Sequence, residues 1–503
     1  MARDLQAQGE GFYTIASAGH EANAALALAL APTDPALLHY RSGAFYCARA
    51  AQVSGVDPVS DIVHSLTASV DDPISGGRHK VWGSHKLAII PQTSTIASHL
   101  PRAVGMAFAH DRARRLDLPP TSPPSSIVVA SMGDASLNHS TAQGALNAAS
   151  WLAHRDINVP LLIVIEDNGL GISVRTPVGW VESSVRSRPG MHYLAVDGAD
   201  PERLLAAAVQ AVDLVRTGRR PVVLHLSTVR FMGHAGSDVE LAYRSAGEIS
   251  ADLERDPLLA TARVLHRRGI LDGAELLDRY ERARVRVRHT VDDLAPMTRM
   301  SHAAEVMAPL AAHHPVQVRA AALRAEHPAR RATYFPHGLP EEAGDLTLAE
   351  SINAALVDLL AGREEAIVLG EDVAAKGGVY GVTRGLLGRF GPLRVLDTLL
   401  DEQTILGTAL GAALVGMLPV PEIQYLAYLH NAEDQLRGEA ATLAFFSAGQ
   451  YVNGMVVRIA GLAYQLGFGG HFHNDNSLTV LRDIPGIVVA VPSGPAEAPG
   501  LLR

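Results

Sequence analysis

SSIVVASMGDASLNHSTAQGALNAASWLAHRDINVPLLIVIEDNGL, residues 125–170, decides the fold. SSIVVASM (125–132) and VPLLIVIED (159–167) are continuous apolar runs rich in β-branched residues. Runs of that kind suit strands buried on both faces of a parallel sheet. Between them, STAQGALNAASWLAHRD (140–156) combines good helix formers with an Ala/Leu periodicity. Strand, helix, strand predicts a right-handed parallel crossover. The class is then α/β, a mostly parallel sheet with helices on both faces. RRPVVLHLSTVRF (219–231) predicts a further strand of the same kind.

The two turns of this segment carry its chemistry. Gly133-Asp134 follows the first strand and Asp167-Asn168-Gly169 ends the second. Neighbouring parallel strands open their carboxyl ends into one crevice, where open α/β sheets bind ligands. The Asp134 carboxylate and the Asn168 amide oxygen then come within reach of one cation. With the main-chain carbonyl of Leu170 they form an all-oxygen set, suited to a hard ion such as Mg²⁺ that keeps positions for phosphate oxygens. Either turn alone is more often only a turn, since Gly-Asp and Asp-Asn-Gly are good turn sequences. Together, on either side of one helix, they say more.

Outward from here the chain divides by texture. Residues 1–295 read as one α/β domain. From about 251 to 345 Arg- and Ala-rich helical patterns take over, as in LLDRYERARVRVRHTVDDL (276–294), which reads as a solvated helical face. Residues 296–345 read as a helical linker; the adjacent His313 and His314 converge poorly on a metal. Residues 346–503 form a second α/β domain. LTLAESINAALVDLLAG (346–362) predicts a helix and EEAIVLGEDV (364–373) a strand with its turn. LRVLDT (393–398), LPVPEIQYL (418–426), GMVVRIA (454–460) and IVVAVPS (487–493) predict further strands.

Composition removes several classes of function. The 503 residues are 48% apolar and 19% charged, enough apolar chain for packed cores and against wholesale disorder. The net charge of −9 argues against a general binder of nucleic acid or anionic membrane. A single cysteine, Cys47, excludes a disulfide framework or a cysteine metal site within one chain, and a reducing cytoplasmic home is expected. The opening MARDLQAQGEG has no apolar core of a signal peptide. The longest apolar stretch, Ile405 to Val420, is short for a membrane span and broken by three glycines.

GDA (133–135) followed by EDNG (166–169) resembles the thiamin diphosphate fingerprint, a Gly-Asp-Gly turn followed after a crossover by Asn-Asn. Ala135 stands for the last glycine, Asp167 for the first Asn, and the spacing is a few residues longer. The resemblance continues through FYTIASAGHEANAALALAL (12–30), LLHYRSGAFY (37–46), TSTIASHLPRAVGMAFA (93–109) and VRFMGHAGSDVELAYRS (229–245). These are similar to the alpha subunit of the decarboxylating component of 2-oxo acid dehydrogenase complexes. GGVYGVTRGLLGRFGPLRVLDT, DEQTILGTALGAALVGMLPVPEIQY and DIPGIVVAVPSGPAEAPGLLR are similar to its beta subunit. The chain thus resembles an alpha–beta fusion, nearest to the branched-chain 2-oxoisovalerate dehydrogenase type. The resemblance implies two thiamin diphosphate-binding domains joined by the helical linker.

It also implies roles. Tyr40-Arg41 falls where the family's arginine binds the cofactor diphosphate, for which a guanidinium offers a planar fork of donors. Ser94 and Ile96 match positions whose backbone borders the cofactor ring. Gly133, Asp134, Ala135, Asn168 and Leu170 match the diphosphate and metal turns, with Asp134, Asn168 and Leu170 as Mg²⁺ ligands. His234 matches the histidine on the loop near the thiazolium, and Ala235 leaves no phosphorylatable serine beside it. Glu402 matches the glutamate that hydrogen-bonds the aminopyrimidine; shielding from water would raise its pKa. Otherwise it reads as an acid in the first turn of a helix at 404–416. Tyr428 matches an aromatic of the pyrimidine pocket. His473 matches the second active-site histidine, with His471 as competitor.

The implied reaction is oxidative decarboxylation of a 2-oxo acid, of branched-chain type, with acyl transfer to a lipoyl group of the acyltransferase partner. Because one cofactor would need both halves, a homodimer of fused chains is expected, with Gly407, Gly411 and Gly416 allowing close packing. Rival readings are a transketolase-like or acyloin-forming enzyme using the same cofactor, and a truncated, non-catalytic assembly module. The family's beta portion normally continues into a further α/β domain, so 503 residues reads as slightly short.

Overall fold

The computed structural model describes residues 2–11, 15–294, 297–311, 314–322, 328–462 and 469–502. His313 lies outside them. Two compact units emerge: 1–103 with 125–307 and 443–451, and 104–124 with 308–442 and 452–503.

The first unit is built on a five-stranded parallel sheet. Its strands are β1 (Ala36–Leu37), β2 (Val128–Gly133), β3 (Leu161–Asp167), β6 (His192–Asp197) and β7 (Val222–Ser227), in the order β1-β2-β3-β7-β6. A short antiparallel ladder, β4 (Leu170–Gly171) with β5 (Val174–Arg175), follows β3. Every residue of β2 is buried, as is every residue of β3 up to Glu166. The two strands pair in parallel from Val128↔Leu161 to Gly133↔Glu166. The helix Ser140–His154 connects them, as the apolar–helical–apolar pattern predicts.

The sequence pattern predicts no strand at β6. HYLAVD is a half-exposed edge strand, without the unbroken apolar run that marks β2 and β3. Its crossover helix Pro201–Gly218 starts at Asp200, whose side chain accepts from the Arg203 N–H, with Pro201 in the first turn. Leu204, Ala208, Ala211, Val212 and Val215 then recur at helical spacing and join the core of Leu26, Phe45, Val129, Leu162 and Leu224. The helix Gly273–Leu294 has no buried residue, as a solvated face requires.

The second unit carries a four-stranded parallel sheet: β8 (Ala366–Gly370), β9 (Val395–Asp397), β10 (Leu418–Ile423) and β11 (Arg458–Ile459), in the order β11-β10-β8-β9. The helix Leu348–Gly362 enters through a capping box of Thr347 and Glu350. Its Leu356, Val357 and Leu360 pack with Val368, Val395 and Val420.

Three expectations are corrected here. IVVAVPS (487–493) forms no strand; it pairs with no sheet, and Val488, Val489 and Val491 are exposed. Apolar run length alone cannot supply the neighbouring strand it needs. GMVVRIA contracts to the two residues of β11. The helix expected at 404–416 runs Glu402–Leu414, so Gly416 lies beyond its end at φ +92°, and only Gly407 and Gly411 remain on it. Among the described residues no helix is long and apolar enough to cross a membrane.

Candidate active site

In the first unit, four neighbouring strands, β1, β2, β3 and β7, end on the same side of the parallel sheet. β1 leads into His39-Tyr40-Arg41, β2 into Asp134, β3 into Asn168 and β7 into the loop that reaches His234. Residues far apart in sequence therefore share one edge, as open parallel sheets arrange their ligand sites.

The two turns meet as the spacing predicts. Asp134 is buried, opens a short 3-10 helix and accepts the Thr176 hydroxyl, and the Asn168 backbone N–H is near enough to favour its charged form. Burial raises its pKa, with those contacts opposing. The Asn168 amide oxygen accepts the Leu170 N–H at 3.1 Å, closing an Asx turn with Gly169 at φ +74°. Ala135 faces Gly171, where any added Cβ would overlap its methyl. An alanine in the first turn is thus matched by a glycine after the second. Asp167 accepts the Gly169 N–H at 2.9 Å and pairs with His225 Nε2 at 2.9 Å, so the acid holds the turn to β7.

Beside these turns lies a cavity of about 150 Å³, a volume that admits roughly one six-membered ring. Tyr40, Ser94, Ile96 and His234 line it, together with Met132 and Ser136 from either side of the Gly133–Ala135 turn. His234 follows Met232 and Gly233, both at positive φ, and its N–H donates to Asp238 at 2.6 Å. Burial lowers its pKa, and the Arg41 and Arg230 charges add to that.

Arg41 is fully buried, and its terminal nitrogens donate to the carbonyls of Ala16 (2.6 Å) and His234 (2.8 Å). Its Nε has no hydrogen-bond partner among the described residues. His39, His79, Lys80 and His99, which no sequence motif singles out, also line the cavity. Burial pushes Lys80 down to about 8 and His99 down to about 3. The only sequence signal for His39 is its position one residue before Tyr-Arg.

The second unit repeats the principle. Glu371 follows β8, Asp401-Glu402 follows β9, and Tyr428 follows β10. The Asp401 side chain caps the helix Glu402–Leu414 by accepting the Gln403 N–H. Glu402 Oε2 accepts from Asn431 Nδ2 at 3.3 Å. The strongly raised carboxyl here is Glu371, pushed up to about 7 by burial first and by the Glu402, Asp372 and Asp401 charges next. His473 Nε2 lies 3.2 Å from the Tyr428 hydroxyl, and its ring packs edge-on to Tyr425 at 4.6 Å. His471 is exposed and contacts the Phe472 ring. Of the two candidates, His473 is the one grouped with Tyr428.

Fold and turns together define a two-domain α/β protein whose parallel sheets carry polar sites at their carboxyl ends, one of them built from two metal-type oxygen turns. The family model described as "Dehydrogenase E1 component" matches residues 1–301, and that described as "Transketolase, pyrimidine binding domain" matches 345–503. The chain belongs to the dehydrogenase E1 component family, an alpha-type portion fused to a beta-type pyrimidine-binding portion. It is similar to the pyruvate dehydrogenase E1 component subunit beta of Staphylococcus epidermidis, with 40% identity over 162 residues, 31% of this chain and 48% of the relative. It is also similar to the 3-methyl-2-oxobutanoate dehydrogenase subunit beta of Mycobacterium tuberculosis, with 38% identity over 179 residues, 36% of this chain and 51% of the relative. The chain spans about half the length of the curated relatives it matches.

The family implies thiamin diphosphate, and the residues present fit it. His39 is buried, lines the cavity, and has no hydrogen bond to either ring nitrogen among the described residues, although Nδ1 lies 3.9 Å from Glu166 Oε2. A Cβ on Gly133 would stand 3.3 Å from His39 Nε2, so the glycine keeps the backbone open there. The Asp134, Asn168 and Leu170 oxygens are the donor set of a hard cation.

Proposed function

We propose that this protein is a Mg²⁺- and thiamin diphosphate-dependent 2-oxo acid dehydrogenase component that decarboxylates a short 2-oxo acid, of branched-chain type, and passes the acyl group to a lipoyl acyltransferase partner. The observation that carries the reading is the meeting of the Asp134 and Asn168 turns beside the cavity lined by Tyr40, Ser94, Ile96 and His234. The branched-chain preference rests on the overall resemblance and on the name of the mycobacterial relative.

When bound, the cofactor supplies the electron sink that decarboxylation of a 2-oxo acid needs. The chain's own residues would hold and orient it. Asp134, Asn168 and the Leu170 carbonyl would hold Mg²⁺; Tyr40 and Arg41 would face the diphosphate; and the Ser94–Ile96 backbone would border the ring. Arg41 would release one of its backbone carbonyls to present a terminal N–H to an anion. Glu402 would hold a proton at the aminopyrimidine, with Glu371 as its buried acidic neighbour. Burial and the Arg41 and Arg230 charges lower the His234 pKa, which favours the neutral ring that can accept or donate at one nitrogen. His473, beside Tyr428, would orient the substrate. Fused chains would associate as a homodimer, which a mass measurement in solution checks.

The test is reduction of an artificial electron acceptor by the purified chain with Mg²⁺ and thiamin diphosphate. A panel of 3-methyl-2-oxobutanoate, pyruvate and sugar phosphates covers the alternatives. Turnover of the branched 2-oxo acid supports the proposal. Turnover of sugar phosphates alone would assign a transketolase-like reaction instead.

A further inference from the structure

Behind the Asn168 turn, at the end of β3, lies a buried polar cluster that the roles above leave unused. Glu166 and His20 are 0% and 1% exposed. His20 Nδ1 lies 2.6 Å from Glu166 Oε2, and His20 Nε2 lies 3.1 Å from Asn168 Nδ2. The other oxygen of Glu166 accepts the Ser42 hydroxyl at 3.1 Å, and Asn23 Nδ2 donates to Oε2 at 3.4 Å.

Hydrogen-bond chemistry fixes every polarity in this chain. The Leu170 N–H can only donate, so the side-chain atom of Asn168 facing it is the oxygen. The Asn168 NH₂ therefore faces His20 Nε2, which must accept. A neutral imidazole that accepts at Nε2 carries its proton on Nδ1. That proton points at Glu166, an acceptor. The Asn168 amide is thus gripped from both sides and cannot turn over without losing two bonds. Glu166 also reaches Ser42, next to Arg41, so the same carboxylate ties the Tyr40–Arg41 segment to the Asn168 turn.

We propose that the Glu166–His20 pair is a positioning device that locks the Asn168 amide with its oxygen available to the cation, so that His20 sets metal affinity without touching the metal. This rests on the cofactor reading above. Outer partners of metal ligands act in this way, by orienting the ligand and fixing its tautomer. The ligand-type atoms of His20, His39 and Glu166 also lie within 4.8 Å of one another. Both nitrogens of His20 are committed to Glu166 and Asn168, so we read the cluster as a hydrogen-bond relay rather than a second metal centre.

The experiment titrates Mn²⁺ by electron paramagnetic resonance into the full chain with saturating thiamin diphosphate. It compares the parent with His20→Met and His20→Gln. Methionine fills similar space and offers no such bond; glutamine keeps an acceptor for Asn168 and a donor for Glu166. The expected result is a Kd raised about 10–100-fold for His20→Met and close to the parent for His20→Gln. Equal affinities in all three, or equal losses in both variants, would overturn the proposal. A parent that binds no Mn²⁺ would instead overturn the cofactor reading.

Nitrogen-15 spectra of histidine-labelled protein give a second readout that does not need the methionine variant to fold. His20 is assigned by its loss in His20→Gln. A neutral ring protonated at Nδ1 supports the relay, and protonation at Nε2 alone overturns it.

Discussion

The Glu402 carboxylate raises the pKa of Glu371, second only to burial, and the Glu371 carboxyl stands at about 7. Its folded value lies above the ordinary 4.5, so folding favours the protonated form. That contribution is complete below about 4.5 and is lost as pH rises through about 7. Glu371→Gln should therefore flatten the fall in Tm between about pH 5 and pH 8. At the alkaline end it should be the more stable protein by about 1–2 kcal/mol after allowance for solvent screening. Parallel melting curves at the two pH values check this; identical slopes would contradict it.

Gly105, in the helix His99–Arg115, faces the backbone of Thr408 in the helix Glu402–Leu414 so closely that any Cβ would overlap it. Backbone cannot yield as a flexible side chain can. Gly105→Ala should cost about 1–3 kcal/mol through overpacking. Gly388→Ala, with open space around its Cβ, should be neutral or slightly stabilising. Denaturant midpoints measure both.

Asp134→Asn should move binding and stability in opposite directions. Burial raises the Asp134 pKa, so its charged form opposes folding near neutral pH. The neutral amide should leave the cofactor-free protein equally or more stable. Mg²⁺-dependent thiamin diphosphate affinity should fall by more than the ~10–100-fold typical of outer-shell partners. Calorimetric titration and thermal melts give the two readouts; unchanged affinity would remove Asp134 from the metal site.

His473→Ala should lower kcat by about 10²-fold if it orients or protonates the reacting group. His471→Ala, exposed beside Phe472, should leave kcat unchanged. Equal effects would mean that the grouping of His473 with Tyr428 has no catalytic meaning.

What the sequence revealed follows from how local each signal is. β2 and β3 are buried on both faces, and their apolar runs mark them as strands without any partner in view. The Asp134 and Asn168 turns stand at the ends of those runs, so their meeting was legible too. β6 shows half-exposed HYLAVD, because an edge strand need not be apolar. IVVAVPS shows the reverse, an apolar run with no strand beside it. His20 and Glu166 are 146 positions apart, and only the sheet brings them together. Likewise the elevated pKa at Glu371 depends on burial and on Glu402, neither of which its own sequence neighbourhood encodes.

Decarboxylation of a 2-oxo acid through Asp134, Asn168 and Glu402 is the proposal on which all the other roles depend. Release of labelled CO₂ from carboxyl-labelled 3-methyl-2-oxobutanoate tests it most directly, with Mg²⁺ and thiamin diphosphate present or withheld. Release is expected to require both additions and to be abolished in Glu402→Gln. Folded, cofactor-saturated protein that releases no CO₂ from any 2-oxo acid would contradict it.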